Sequence, residues 1–125
     1  MGEGEQVTVR AVRGAIKIDE DTAACVLDAT ERLIRTVLER NGAEGDELIS
    51  MLFTVTDDIT SAFPAEAARR MGLGSVPLMC AREIPVVGAM PLVVRVLVHL
   101  HTERSLAEME PIYLDGAESL RDDLA

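Results

Sequence analysis

Apolar and polar residues alternate from Val7 to Val12, the period of a half-buried strand. The run predicts a first strand that ends at Arg13-Gly14. The period then changes. Ala23, Val26, Leu27, Leu33, Ile34, Val37 and Leu38 recur at the spacing of one helix face, about 3.6 residues per turn. Asp19-Glu20-Asp21-Thr22 offers N-cap candidates and acids for the helix start, and Asn41-Gly42 offers the stop. Glu31, Arg32, Arg35, Glu39 and Arg40 fall on the opposite side and read as a solvated face.

Ile49 to Val55 is apolar and partly β-branched, a second strand broken by Thr56-Asp57-Asp58. Ala62-Phe63-Pro64 opens a short helix with Pro64 near its first position, and Gly72 closes it. Ser75 to Met79 reads as a short strand feeding Cys80. Val93 to His101 is the clearest strand: Val94, Val96, Val98 and Leu100 form one face, and Val93, Arg95, Leu97, His99 and His101 the other. Pro111 to Leu114 is a last strand, followed by an acidic tail from Asp115 to Ala125. No internal repeat or linker interrupts the chain. The pattern predicts one α+β domain over residues 1–125, a mixed sheet with the long helix on one face. Residues 1–6 and about 115–125 are expected to be mobile. The second sheet face, with Val93 and Leu97, needs its own cover, which another subunit would supply.

A chain of 125 residues can bury a core without disulfides or a metal. Its two cysteines, Cys25 and Cys80, lack any CxxC or Cys/His cluster, which argues against zinc. The acidic start MGEGEQ has no apolar run behind it, and Pro91 to Leu100 is too short to span a bilayer. The expectation is a soluble, cytoplasmic protein. A net charge of -10 and 2% aromatic residues disfavour nucleic acid and anionic membranes as partners. Any anion site must then be a local gathering of arginines that overrides the global field.

Arg95 is the most informative of them, because it interrupts an apolar strand. A central-strand arginine is costly to desolvate unless an anion accompanies it. Three readings follow: a structural pair with a core carboxylate, a receptor for an anionic ligand, or an edge strand with Arg95 in solvent. Arg13 sits at a strand end. Arg69 taken alone is solvated. Glu83 could cap a helix or accept a hydroxyl. Tyr113 is the sole tyrosine and reads as half-buried packing with a wet hydroxyl. His99 and His101 share a strand face but lack further ligands for a metal. No nucleotide fingerprint or nucleophile elbow is present, and Cys80 has no obvious basic partner in sequence to activate it.

Several short motifs occur in order: Val12-Arg13-Gly14-Ala15, Phe63-Pro64-Ala65 with Arg69, and Val76-Pro77-Leu78-Met79-Cys80 with Glu83. Arg95-Val96, Tyr113-Leu114 and Leu120-Arg121 follow. Together, over about residues 7 to 124, the sequence resembles the AroH class of chorismate mutases, the monofunctional type found in Bacillus and its relatives. The resemblance implies a homotrimeric pseudo-α/β-barrel with sites in clefts between subunits, chorismate as substrate, prephenate as product, and no cofactor. It also implies residue roles. Arg13 would pair with a substrate carboxylate, and Arg95 with a carboxylate and the ether oxygen. Tyr113 would support carboxylate binding, while Glu83 and the Met79-Cys80 region would address the ring hydroxyl. Phe63 and Arg69 would line the cleft, and Leu120 with Arg121 would come from the tail. Glu66 departs from the family pattern, which has a lysine there. An acid at that place would weaken dianion binding unless it points away.

Chorismate rearranges to prephenate within one molecule, so the missing nucleophile and acid–base pairs are consistent with that activity. Two other readings share the architecture: a non-catalytic trimer that binds a small carboxylate, and a deaminase of the RidA type, which would need a site for a positioned water.

Overall fold

A computed structural model describes residues 6–124, with side chains as far as Leu120. Five strands form one mixed sheet in the order β3-β2-β4-β1-β5. They are β1 (Thr8–Lys17), β2 (Leu48–Val55), β3 (Leu78–Arg82), β4 (Val93–Thr102) and β5 (Ile112–Leu114). The central β4 runs antiparallel to both β1 and β2, whereas the outer pairs β1/β5 and β2/β3 are parallel. Two helices, α1 (Ala23–Arg40) and α2 (Ala65–Arg70), provide the crossovers after β1 and β2.

The long helix forms where its caps place it. Thr22 accepts a hydrogen bond from the Cys25 amide, and Asn41 ends the helix ahead of Gly42 at φ +61°. The acids before Thr22 lie outside the helix, and Asp21 serves elsewhere. Val26, Leu27, Leu33, Ile34 and Val37 are buried against one sheet face, where Val12, Ile16, Met51, Phe53, Val94, Val96, Val98 and Leu100 meet them. Each such side chain contributes about 1.5–3 kcal/mol by leaving water. The buried Asn41 spends its amide on the Val37 and Glu110 carbonyls and accepts from the Glu110 amide, tying the helix end to the approach to β5. Gly14 lets α1 come close: a Cβ there would lie 3.0 Å from Leu33, 3.1 Å from Val37 and 3.2 Å from the Ile112 carbonyl.

The first strand does not end at Arg13-Gly14. It continues to Lys17, because Gly14 to Ile16 are paired on both sides, with β4 and with β5. Arg13 is an outward step in the alternation rather than its end. The third strand begins at Leu78, three residues later than expected. Pro77 has no N–H to donate, and only its carbonyl joins the sheet, accepting from the Met51 amide. Cys80 therefore lies inside this strand. Pro64 takes the N-cap of α2, one place before the expected position. The tail expected after Asp115 winds into a 3-10 helix, Ala117–Leu124, whose Ala117 is buried with Ala15 and Val93. Of residues 1–6, expected to fray, 1–5 lie outside the described residues.

Candidate active site

The sheet face away from α1 carries the polar cluster. Register places Ala81, Thr54, Arg95, Ala15 and Tyr113 in one row across all five strands. The adjacent row holds Met79, Leu52, Leu97 and Arg13. Ala15 is small, so a trough opens between Arg95 and Tyr113. The trough is a cavity of about 300 Å³ lined by Arg13, Thr54, Arg95, Leu97 and Tyr113 among others.

Arg95 is neither buried in the core nor loose in solvent. Its Nε donates to Glu83 Oε2 at 3.0 Å, and its side chain is 43% exposed. The same Glu83 oxygen accepts from the Thr54 hydroxyl at 2.7 Å. Glu83 is placed by its own backbone, whose amide donates to the Val55 carbonyl at 2.9 Å and extends the β2/β3 pairing by one step. A carboxylate thus fixes one edge of the guanidinium. The two terminal nitrogens have no hydrogen-bond partner among the described residues. This merges two of the sequence readings: Arg95 has a structural carboxylate and still presents donors to a ligand.

The other candidates divide. Arg13, Arg95 and Tyr113 line the trough, whereas Glu83 is joined to it through Arg95 and itself lines a cavity of about 210 Å³ with Thr56, Asp57 and Asp58. Met79 lies on the same face opposite Leu52 and is exposed. Leu120 packs beside Tyr113 against Ala15, Val93 and Ala117. Phe63 is elsewhere. It is 69% exposed and lines a second cavity of about 360 Å³ with Thr60, Ser61, Pro64, Cys80 and Arg82. Cys80 stands opposite the buried Phe53, so its side chain faces the helix side, away from Arg95. Arg69 lines neither cavity and pairs with Glu66 at 3.0 Å. Glu66 also lies 3.8 Å from Arg70, so this acid is turned onto its own helix. The Arg121 side chain lies outside the described residues.

The second cavity has a brace of its own. Asp21, just before α1, accepts from the Thr60 and Ser61 amides at 3.1 Å and from the Thr60 hydroxyl at 3.0 Å. Hydrogen bonds from Ser61 and Thr60 hold its carboxyl below the usual range. In the sequence Asp21 is legible only as a helix-cap candidate, and Thr54 only as one position of an apolar strand.

Residues 9–124 match the family described as chorismate mutase type I. The chain belongs to the type I chorismate mutases. It is 48% identical to chorismate mutase AroH of Thermus thermophilus over 117 residues, covering 93% of this chain and 96% of that one. It is 30% identical to chorismate mutase AroH of Bacillus subtilis, covering 94% and 93% of the two chains. Among solved structures it resembles a chorismate mutase from Clostridium thermocellum, with TM-score 0.87 and 41% identity, over 88% of this chain and 98% of that one. The activity is that of a chorismate mutase, an isomerase, and it suits a site whose polar groups are fixed donors and acceptors rather than nucleophiles.

Proposed function

We propose that the Arg95 trough is the seat of the rearrangement of chorismate to prephenate. The observation that carries this reading is Arg95, which lines the cavity from a rigid central strand, its Nε held by Glu83 and its terminal nitrogens without a hydrogen-bond partner among the described residues. The reaction is a 3,3-sigmatropic shift within one molecule. The enzyme must hold the side chain of the substrate over its ring, a matter of positioning. It must also stabilise the partial negative charge that grows on the ether oxygen as the C–O bond breaks. A fixed guanidinium aimed at that oxygen favours the transition state over the ground state. Arginine stays charged and bridges two acceptors, which an ammonium group does poorly.

In this reading Arg13 and Tyr113 hold a carboxylate at the other end of the trough. Glu83 accepts from the ring hydroxyl. Phe63 and Arg69 come from a neighbouring subunit of a homotrimer, which supplies the missing wall. Two features support the shared site: within one chain Phe63 lies at a different cavity from Arg95, and the open face exposes Val9, Leu52, Leu97 and Met79. Leu120 and Arg121 would complete the closure. The setting is cytoplasmic phenylalanine and tyrosine biosynthesis, and no cofactor is required. The direct test is the loss of chorismate absorbance with purified protein and its replacement by prephenate. Turnover that needed a metal, or that left a covalent adduct on Cys80, would overturn the pericyclic account.

A further inference from the structure

Thr54 stands where three strands meet around Glu83. It is directly opposite Arg95 on β4 and opposite Ala81 on β3, two residues before Glu83. Its hydroxyl donates to Glu83 Oε2 at 2.7 Å, and Arg95 Nε reaches the same oxygen at 3.0 Å. Both donors therefore use one oxygen of the carboxylate. Among the described residues nothing donates to Oε1.

We propose that Thr54 is a positioning residue for the rearrangement: its hydroxyl fixes the Glu83 carboxylate so that Oε1 is turned to the ring hydroxyl of the substrate. The inference rests on the reading of Glu83 as the acceptor for that hydroxyl. Three physical features make threonine suited to the task. A β-branched side chain on a strand has few rotamers, so the hydroxyl direction is set by the backbone. A hydrogen bond to a charged oxygen is about twice as strong as a neutral one. The Glu83 backbone is pinned to Val55, next to Thr54, so the hydroxyl controls only the side-chain torsions that remain. Arg95 alone does not fix those torsions, because it is itself a long side chain, 43% exposed. Thr54 thus shapes the hydroxyl-binding corner without being required to touch the reacting atoms.

The test compares chorismate with an analogue that lacks the ring hydroxyl, using Thr54→Val, Thr54→Ser and Glu83→Gln. Valine keeps the shape and strand preference of threonine and removes the donor. Thr54→Val should lower kcat/KM for chorismate by about tenfold, the scale of one hydrogen bond to a charged group. For the analogue the loss should be several-fold smaller, limited to what a looser Glu83 costs Arg95, and Thr54→Ser should restore most of the loss on chorismate. An equal loss on both substrates would show that Thr54 acts through general packing and would overturn the proposal, as would no loss on either. Glu83→Gln separates the underlying reading. If it discriminates between the substrates and Thr54→Val does not, the Thr54 proposal alone fails. If Glu83→Gln affects both equally, the hydroxyl reading of Glu83 fails and the proposal falls with it.

Discussion

Asp115 accepts from both terminal nitrogens of Arg32, at 2.6 and 2.7 Å, and so ties the start of the C-terminal 3-10 helix to the middle of α1. The tie holds an unusual turn. Asp115 has φ +55° and Gly116 φ +102°, and the Lys17 side chain lies against Gly116. A Cβ at Gly116 would sit 3.3 Å from that side chain on a backbone that favours glycine. From this turn the chain delivers Ala117 and Leu120 to the cluster beside Tyr113, at one wall of the trough.

The Arg32 hydrogen bonds hold the Asp115 carboxyl below its usual value of 3.8. A carboxylate whose folded pKa is lowered stabilises the fold fully above its unfolded pKa, and that stabilisation fades as pH falls through the lower, folded value. Both side chains are about half exposed, so the pair is worth no more than about 1 kcal/mol. Asp115→Asn removes the charge and keeps a residue that tolerates positive φ. Urea unfolding at pH 7 should show a loss within that bound, and the difference from the parent should shrink at about pH 3. A difference that stayed constant with pH would mean that the charge of Asp115 contributes nothing.

Arg95 carries the largest expected effect on turnover. Removal of one preorganised donor to a developing charge costs about 10²–10³ in kcat. Arg95→Ala should lose at least that much, and it also leaves the Glu83 carboxylate with Thr54 as its one remaining partner among the described residues. Arg95→Lys should rescue little, since one ammonium cannot hold Glu83 and bridge two substrate oxygens as a planar guanidinium does. Steady-state kinetics with chorismate settles the point: a lysine variant with near-parental kcat would refute the bridging role.

Much of this arrangement could be read from local pattern. The face of β4 that carries Arg95 follows from strict alternation, and α1 follows from its period and from the caps at Thr22 and Asn41. Local pattern fails where pairing decides. Thr54 sits in a run that reads as apolar strand, and only the β2/β4 register sets it opposite Arg95. Cys80 follows a proline that delays the strand, and its direction depends on pairing with Phe53. Asp21 resembles a helix cap because its partners, Thr60 and Ser61, are about forty residues away. Glu66 carries the wrong charge for a dianion site, yet its place beside Arg69 and Arg70 shows that the carboxylate is engaged on α2.

The division of candidate residues between two cavities gives the shared-site reading a decisive experiment. Arg13, Arg95 and Tyr113 line one cavity, and Phe63 lines the other. If a neighbouring subunit brings Phe63 and Arg69 to the trough, lesions in the two halves must complement. Arg95→Ala disables one half, and a Phe63→Ala/Arg69→Ala double variant disables the other. Each homotrimer then has one lesion in every site and should be nearly inactive. Unfolding and refolding the two variants together in equal amounts draws each half-site at random. About a quarter of interfaces should then combine two intact halves, another quarter should hold both lesions, and the rest one. Activity should recover toward a quarter of the parental level. If one chain supplied the whole site, every site would keep a lesion whatever its neighbours. With mixed trimers verified by native mass spectrometry, a flat result would reject sharing, and a mass spectrum without trimers would reject the assembly itself.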